Sequence, residues 1–170
     1  MNGGPFARLL ESLRPDLVRF AFWLARDRSV AEDVVQETLI RAWKSRAELK
    51  DSAATRPWLL TIVRREHARL YERKRLPTVD VDDAEVQADP ALSTGDSGTA
   101  DARLDDLRRA ILELPDEYRE PLVMQVLGGL TTQEIGKELG LTQAAVLTRL
   151  FRARNKLRET YGLDEVEDVE

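Results

Sequence analysis

Two rows of cations carry the chemistry that this sequence offers, and that chemistry is attraction for a polyanion. Between Arg56 and Leu76 seven lysines and arginines stand against two acids, Glu66 and Glu72, and Arg65, Arg69 and Arg73 recur four apart, one ridge of a helix. Between Thr131 and Thr160 six cations (Lys137, Arg149, Arg152, Arg154, Lys156 and Arg158) meet three acids. Both rows are islands, because the chain carries a net charge of −5, with −8 in residues 77–106 and −5 in 161–170. A solvated helix face is the simpler account of most charged rows. The first row has so little balancing acid that phosphate contact is favoured. Catalysis finds no comparable constellation. The chain has no cysteine, which excludes disulfides, Cys-ligated zinc and thiol chemistry, and its one histidine, His67, has no evident partner. No catalytic residue, metal or cofactor is expected.

The second row lies in a stretch whose punctuation defines two short helices. Thr131-Thr132-Gln133-Glu134 is a capping box, able to satisfy the unpaired N–H groups that open a helix. Ile135 and Leu139 share a face, and Gly140 stands where a left-handed C-terminal cap is needed. Thr142 then caps a second helix in which Val146, Leu150, Ala153 and Leu157 form an inward stripe, while Ala144, Ala145, Thr148 and Arg152 share another face. Helices joined by so tight a turn form a helix-turn-helix, with the cations on the second helix where phosphates would be met. A helical hairpin in any all-α core would show the same stripe, so it is the cations that favour DNA.

The elements that must position these rows are also helical. Phe6, Leu9, Leu10 and Leu13 form one stripe and Leu17, Phe20, Ala21 and Leu24 another, with Pro15 between, which predicts two helices or one kinked helix over 6–26. Ser29-Val30-Ala31-Glu32 reads as a second capping box, opening a helix with Val34, Val35, Leu39 and Ala42 on one side and Asp33, Gln36, Glu37, Arg41 and Lys44 on the other. On spacing alone that second side is a solvated face, with acids early and bases late as the helix dipole prefers. Pro57 suits the first position of the next helix, whose buried side is expected to be Trp58, Leu59, Ile62 and Val63. From Pro77 to about Ala100 the apolar pattern lapses into Asp, Ser, Thr, Gly and Pro, a linker. Leu104, Leu107, Ile111 and Leu114 resume the pattern. Pro115 stops it, Asp116 can cap another helix, and Pro121 predicts a late start or a kink there, before Gly128-Gly129.

The resulting class is all-α: two small helical domains joined by a flexible acidic linker, the second containing the helix-turn-helix. The expected boundaries are 1–76, a linker over 77–103, a second domain over 104–161 and an acidic tail over 162–170. A chain of 170 residues with 34% charged and 42% hydrophobic residues is ordinary for a soluble protein. Met1-Asn2-Gly3-Gly4-Pro5 lacks a secretory pattern and no apolar run approaches about 18 residues, so a cytoplasmic location without membrane insertion is expected.

With these residues in view, nearly the whole chain resembles the extracytoplasmic-function sigma factors, promoter-specificity subunits of bacterial RNA polymerase. The strongest part is Ala31-Glu32-Asp33-Val34-Val35-Gln36-Glu37-Thr38-Leu39-Ile40-Arg41-Ala42-Trp43. In that family this helix binds the clamp helices of the polymerase's largest subunit, which makes Asp33, Gln36, Glu37 and Arg41 the implied core-binding face. Pro57-Trp58-Leu59-Leu60 with Arg64-Arg65 resembles the segment that engages the minus-ten element and its opened strand. The resemblance carries over Trp58, Arg64, Arg65 and Arg69, with the loop from Lys50 to Arg56 as base reader. Cations and an aromatic ring suit exposed phosphates and unstacked bases. Leu114-Pro115, Glu134-Ile135 and the run Val146 to Arg154 are similar to the family's C-terminal domain, whose second motif helix reads the minus-thirty-five element. The implied contacts are Thr142, Ala144, Ala145, Thr148, Arg149, Phe151 and Arg152. Leu147 stands where the family commonly has Lys or Arg, withholding a phosphate or base contact, and Arg65 stands where it often has Asn. An anti-sigma partner is also implied.

Reach constrains the mechanism. Two promoter elements about 25 base pairs apart are separated by roughly 85 Å at ~3.4 Å per pair. A free coil of about 24 residues averages only about 27 Å end to end and reaches about 80 Å when fully extended. The linker suffices only when stretched, so polymerase core is expected to fix the geometry and the isolated protein to bind promoters poorly. Two other functions fit parts of the chain. A stand-alone, dimeric helix-turn-helix regulator would leave the run from Asp33 to Trp43 without purpose. A sigma-like adaptor would bind proteins without initiating transcription.

Overall fold

The structure, a computed structural model, describes residues 4–75 and 99–161. Most of the expected linker and the acidic tail over 162–170 lie outside the described residues. The chain divides into two compact units, Met1–Gln87 and Ala88–Glu170, and every regular element among the described residues is helical.

In the first unit a single helix, α1 (Pro5–Ala25), runs through Pro15. Phe20, Ala21, Phe22, Trp23 and Leu24 are all buried, and a helix apolar on every side has to be enclosed. Helices α2 (Arg28–Lys44) and α3 (Thr55–Arg75) pack against it. Arg26 ends α1 in the left-handed conformation (φ 59°), its N–H donating to the Phe22 carbonyl at 2.7 Å. That turn leaves Asp27 extended, and its carboxylate accepts from the Ser29 and Val30 N–H groups at 2.8 and 3.2 Å. The cap of α2 is therefore Asp27, two residues before the expected Ser29 box. Glu32 pairs instead with Arg28 at 3.3 Å.

Helix α3 starts at Thr55, ahead of the expected Pro57, which still falls in the first turn where a missing N–H leaves no helical bond unmade. Its buried side is Leu59, Leu60, Val63 and Glu66. Trp58 and Ile62, expected there, are half-buried, because the stripe turns toward Leu60 and away from them.

In the second unit α4 (Thr99–Glu113) begins inside the segment read as linker. Leu104 and Leu107, expected to open the core stripe, are exposed, and burial starts only at Ala110. Helix α5 (Asp116–Val126) takes Asp116 as its first residue and not as its cap, which is Pro115. The Asp116 carboxylate pairs with Arg119. Pro121 sits buried inside α5 without delaying its start. Arg119 is buried too, and its Nη1 donates to the carbonyls of Leu112 and Leu114 at 3.3 and 2.6 Å. Those carbonyls lie at the end of α4 and have no helical donor, so Arg119 fastens α4 to α5.

The helix-turn-helix has the expected form. Thr131 Oγ1 accepts from the Glu134 N–H at 3.1 Å, and Glu134 Oε2 accepts from the Thr131 N–H at 2.9 Å, opening α6 (Thr132–Leu139). Gly140 closes it at φ 68°, and Thr142 Oγ1 accepts from the Ala145 N–H at 3.1 Å to open α7 (Gln143–Tyr161). Val146, Leu150 and Ala153 are buried; Leu157 is half-buried.

Candidate nucleic-acid interface

The buried side of α3 determines which of its cations can meet a ligand. Trp58, Arg65 and Arg69, spaced seven and four apart, share the side opposite Leu59, Leu60 and Val63, with Arg65 and Arg69 exposed and the Trp58 ring half-buried. Two expected site residues lie elsewhere. Arg56 turns back to α1, its Nε donating to Asp16 Oδ2 at 3.1 Å, and Arg64 is half-buried on a different flank. Lys50 is exposed in the loop before α3, between short turns at Arg46–Glu48 and Ser52–Ala54.

In the sequence Glu66 is one of two acids balancing the basic row; in the fold it is 6% exposed and faces α2. Its carboxylate pairs with Arg41 and lies 3.7 Å from Arg69 Nη1, while Arg41 also stands 3.8 Å from Glu37. The signal was present: Glu66 follows Leu59 and Val63 by seven and three residues, on the apolar stripe. Burial pushes the Glu66 carboxyl above its ordinary value, and the Arg41 guanidinium pulls the other way. A carboxyl raised in the fold contributes stability that is full below about pH 4.5 and lost as pH rises through the folded value. Glu66→Gln removes this titration. Urea unfolding of parent and variant from about pH 4 to about pH 7 is expected to give a smaller decline with pH in the variant, and parallel curves would refute it.

Helix α2 presents Asp33, Gln36 and Glu37 exposed on the side away from Val34, Val35 and Ala42. Arg41, expected on the same face, is partly withdrawn by its pairing with Glu66. Helix α7 exposes Ala144, Thr148, Phe151 and Arg152, with Thr142 exposed just before it, while Ala145 and Arg149 are half-buried. The Thr148 hydroxyl donates to the Ala144 carbonyl at 3.0 Å, a bond a rotating hydroxyl can exchange for a ligand. Two side-chain bonds fix α7 against its neighbours, Gln143 Nε2 to Thr132 Oγ1 at 3.0 Å and Arg154 Nη2 to Gln125 Oε1 at 2.6 Å. Lys156 Nζ lies 5.6 Å from the Tyr118 ring centroid. Leu147 is exposed beside Phe151, and Gly136, inside α6, lies against the Leu141 carbonyl of the turn.

Among the described residues no group of three or more His, Cys, Asp or Glu could hold a metal, and no helix is long and apolar enough to cross a membrane. A ring-bearing cationic face on α3, an acidic face on α2 and a fixed cationic helix α7 can bind unpaired bases, a basic protein surface and a DNA groove respectively.

Comparison with known proteins gives matches in both units. Residues 9–76 match the family profile Sigma-70 region 2, and residues 104–157 match Sigma-70, region 4. The chain is 35% identical over 147 residues to the ECF RNA polymerase sigma factor SigL of Mycobacterium tuberculosis, covering 85% of this chain and 81% of that one. It is 32% identical over 161 residues to a probable RNA polymerase sigma factor, RfaY, of Xanthomonas campestris pv. campestris, spanning 90% of this chain but only 39% of that protein's length. A solved complex of the sigma factor RpoE with the anti-sigma factor NepR from Bartonella quintana matches with a TM-score of 0.69 at 26% identity. That match covers 94% of this chain and 98% of the solved one.

Proposed function

Because the chain belongs to the extracytoplasmic-function sigma factors, we propose that it is a dissociable initiation factor that directs bacterial RNA polymerase to promoters and has no catalysis of its own. In this reading Asp33, Gln36 and Glu37 dock on polymerase core, with Arg41 steadied behind them. Trp58, Arg65 and Arg69, with the loop from Lys50 to Arg56, hold the opened minus-ten strand. Ala144, Thr148, Phe151 and Arg152 enter the groove of the minus-thirty-five element, flanked by Thr142, Ala145 and Arg149. Residues 1–76 and 104–161 are the two working domains, 77–103 the tether and 162–170 an acidic tail, and the site of action is the cytoplasm.

The observation that carries the reading is the exposed acidic face of α2 in the same chain as two cationic faces in separate units. A stand-alone operator-binding regulator has no use for that face. An anti-sigma partner is proposed on the likeness to RpoE, which was solved bound to NepR.

Run-off transcription with purified core polymerase tests the reading. Promoter-dependent transcript is expected only when core and this chain are both present, with weak promoter binding by the chain alone. Tight binding to a palindromic site without core would replace the reading with a dimeric regulator. Core binding without initiation would replace it with an adaptor.

A further inference from the structure

Leu147 and Phe151 are 52% and 64% exposed and stand four residues apart on α7, so their side chains are neighbours. Together they leave an apolar strip uncovered on a helix that side-chain bonds fix against its neighbours. Its surroundings restrict what can cover it. Small Ala144 and Thr148 lie alongside on the outward side, where they permit close approach; exposed Arg152 lies beyond Thr148 and exposed Arg154 follows Leu147 by seven residues and Phe151 by three, on the same side as the pair. Cations beside an apolar strip match phosphate walls with an apolar group between them. In a DNA major groove the base edges offer one such group, the 5-methyl of thymine. A protein helix docking there would bury guanidinium groups against apolar side chains, which charge complementarity disfavours.

We propose that Leu147 and Phe151 form an apolar reading edge that selects thymine, through its 5-methyl group, within the minus-thirty-five element. This deepens the reading of α7 given above and rests on it. Leucine has no hydrogen-bonding group, so it cannot read purine N7 or O6 edges; what it distinguishes is a methyl from a hydrogen on C5. The side chain at position 147 therefore replaces a salt-dependent phosphate contact with a base-specific one, and is more than a lost cation. One buried methyl is worth about a three- to fourfold change in affinity.

The test uses holoenzyme, core plus the full chain, on promoters with a fixed minus-ten element and a randomised minus-thirty-five element. Thymine is expected at one or more enriched positions, and replacing it by deoxyuridine, which lacks only the methyl, is expected to weaken binding about three- to fourfold. Leu147→Ala or Phe151→Ala abolishes that deoxyuridine effect. Leu147→Lys loses it too while steepening the salt dependence by about one phosphate contact. Enrichment with no deoxyuridine effect, or full discrimination in both alanine variants, overturns the proposal and leaves the pair to a protein partner. No enrichment at all overturns the groove-reading role of α7 along with it, so the two failures are distinguishable.

Discussion

Reversing both charges, Asp33→Lys with Glu37→Lys, is expected to lower the affinity for polymerase core by about a hundredfold or more while leaving the chain folded. Asp33 and Glu37 are exposed on α2, and Glu37 stands 3.8 Å from Arg41 on a partly exposed surface. Losing such a pair costs about 0.5 kcal/mol, far less than the chain can tolerate. At an interface, removing one member of a desolvated charge pair costs about 2–5 kcal/mol, and reversal adds repulsion. Each 1.4 kcal/mol is about tenfold, so the interface term exceeds the folding term by roughly two orders of magnitude in binding. Pull-down against core and run-off yield at limiting protein, with thermal unfolding as control, measure both. Unchanged core binding would remove α2 from the interface. Arg41→Ala would be a poorer probe, because Arg41 also neutralises buried Glu66 and its loss would disturb the α2–α3 contact itself.

The contrast between Arg41 and Asp33 shows how far a sequence can be read. Period and capping determine which side of α2 faces the core, and both are local, so Val34, Val35, Ala42 and the Asp33–Glu37 face were legible. Which outward residue reaches across to another helix is a tertiary matter, and the Arg41–Glu66 pair had no local sign beyond Glu66 lying on an apolar stripe. Caps behaved the same way. Thr131 and Glu134 form the expected reciprocal box, because nothing nearby competes. Ser29 and Glu32 have the same pattern, but the left-handed Arg26 makes Asp27 the extended residue, and Asp27 takes the cap. Arg119 was missed for a related reason: as one charge on a helix it is ordinary, and it becomes a fastener only when the ends of α4 and α5 meet. The Leu104 and Leu107 stripe went wrong in the opposite direction, since periodicity reports an apolar face without reporting whether anything packs on it.

Gly136 supplies the second large effect. It lies in the middle of α6, where alanine would be the better helix former by about 1 kcal/mol. A Cβ there would stand 2.7 Å from the Leu141 carbonyl oxygen, a backbone atom that cannot swing aside as a side chain could, and 3.6 Å from Val146 Cγ2. The Leu141 N–H donates to the Gly136 carbonyl at 2.8 Å, so the turn is tied to the residue that would push it away. Relieving the overlap requires the turn to open and α6 to part from α7, at a cost of about 2–4 kcal/mol that outweighs the propensity gain. Gly140 makes the comparison. It adopts φ 68° with nothing within 4 Å of a Cβ, so Gly140→Ala meets only conformational strain of about 1–2 kcal/mol. Gly136→Ala is therefore expected to destabilise α6 and α7 at least as much as Gly140→Ala, despite its ordinary helical conformation. Amide exchange of α6 and α7 measures the difference, and equal protection in Gly136→Ala and the parent would refute it. In transcription, the same variant is expected to lose minus-thirty-five dependence while retaining core binding, because α2 belongs to the other unit. Loss of both together would mean that the two units do not act separately on polymerase.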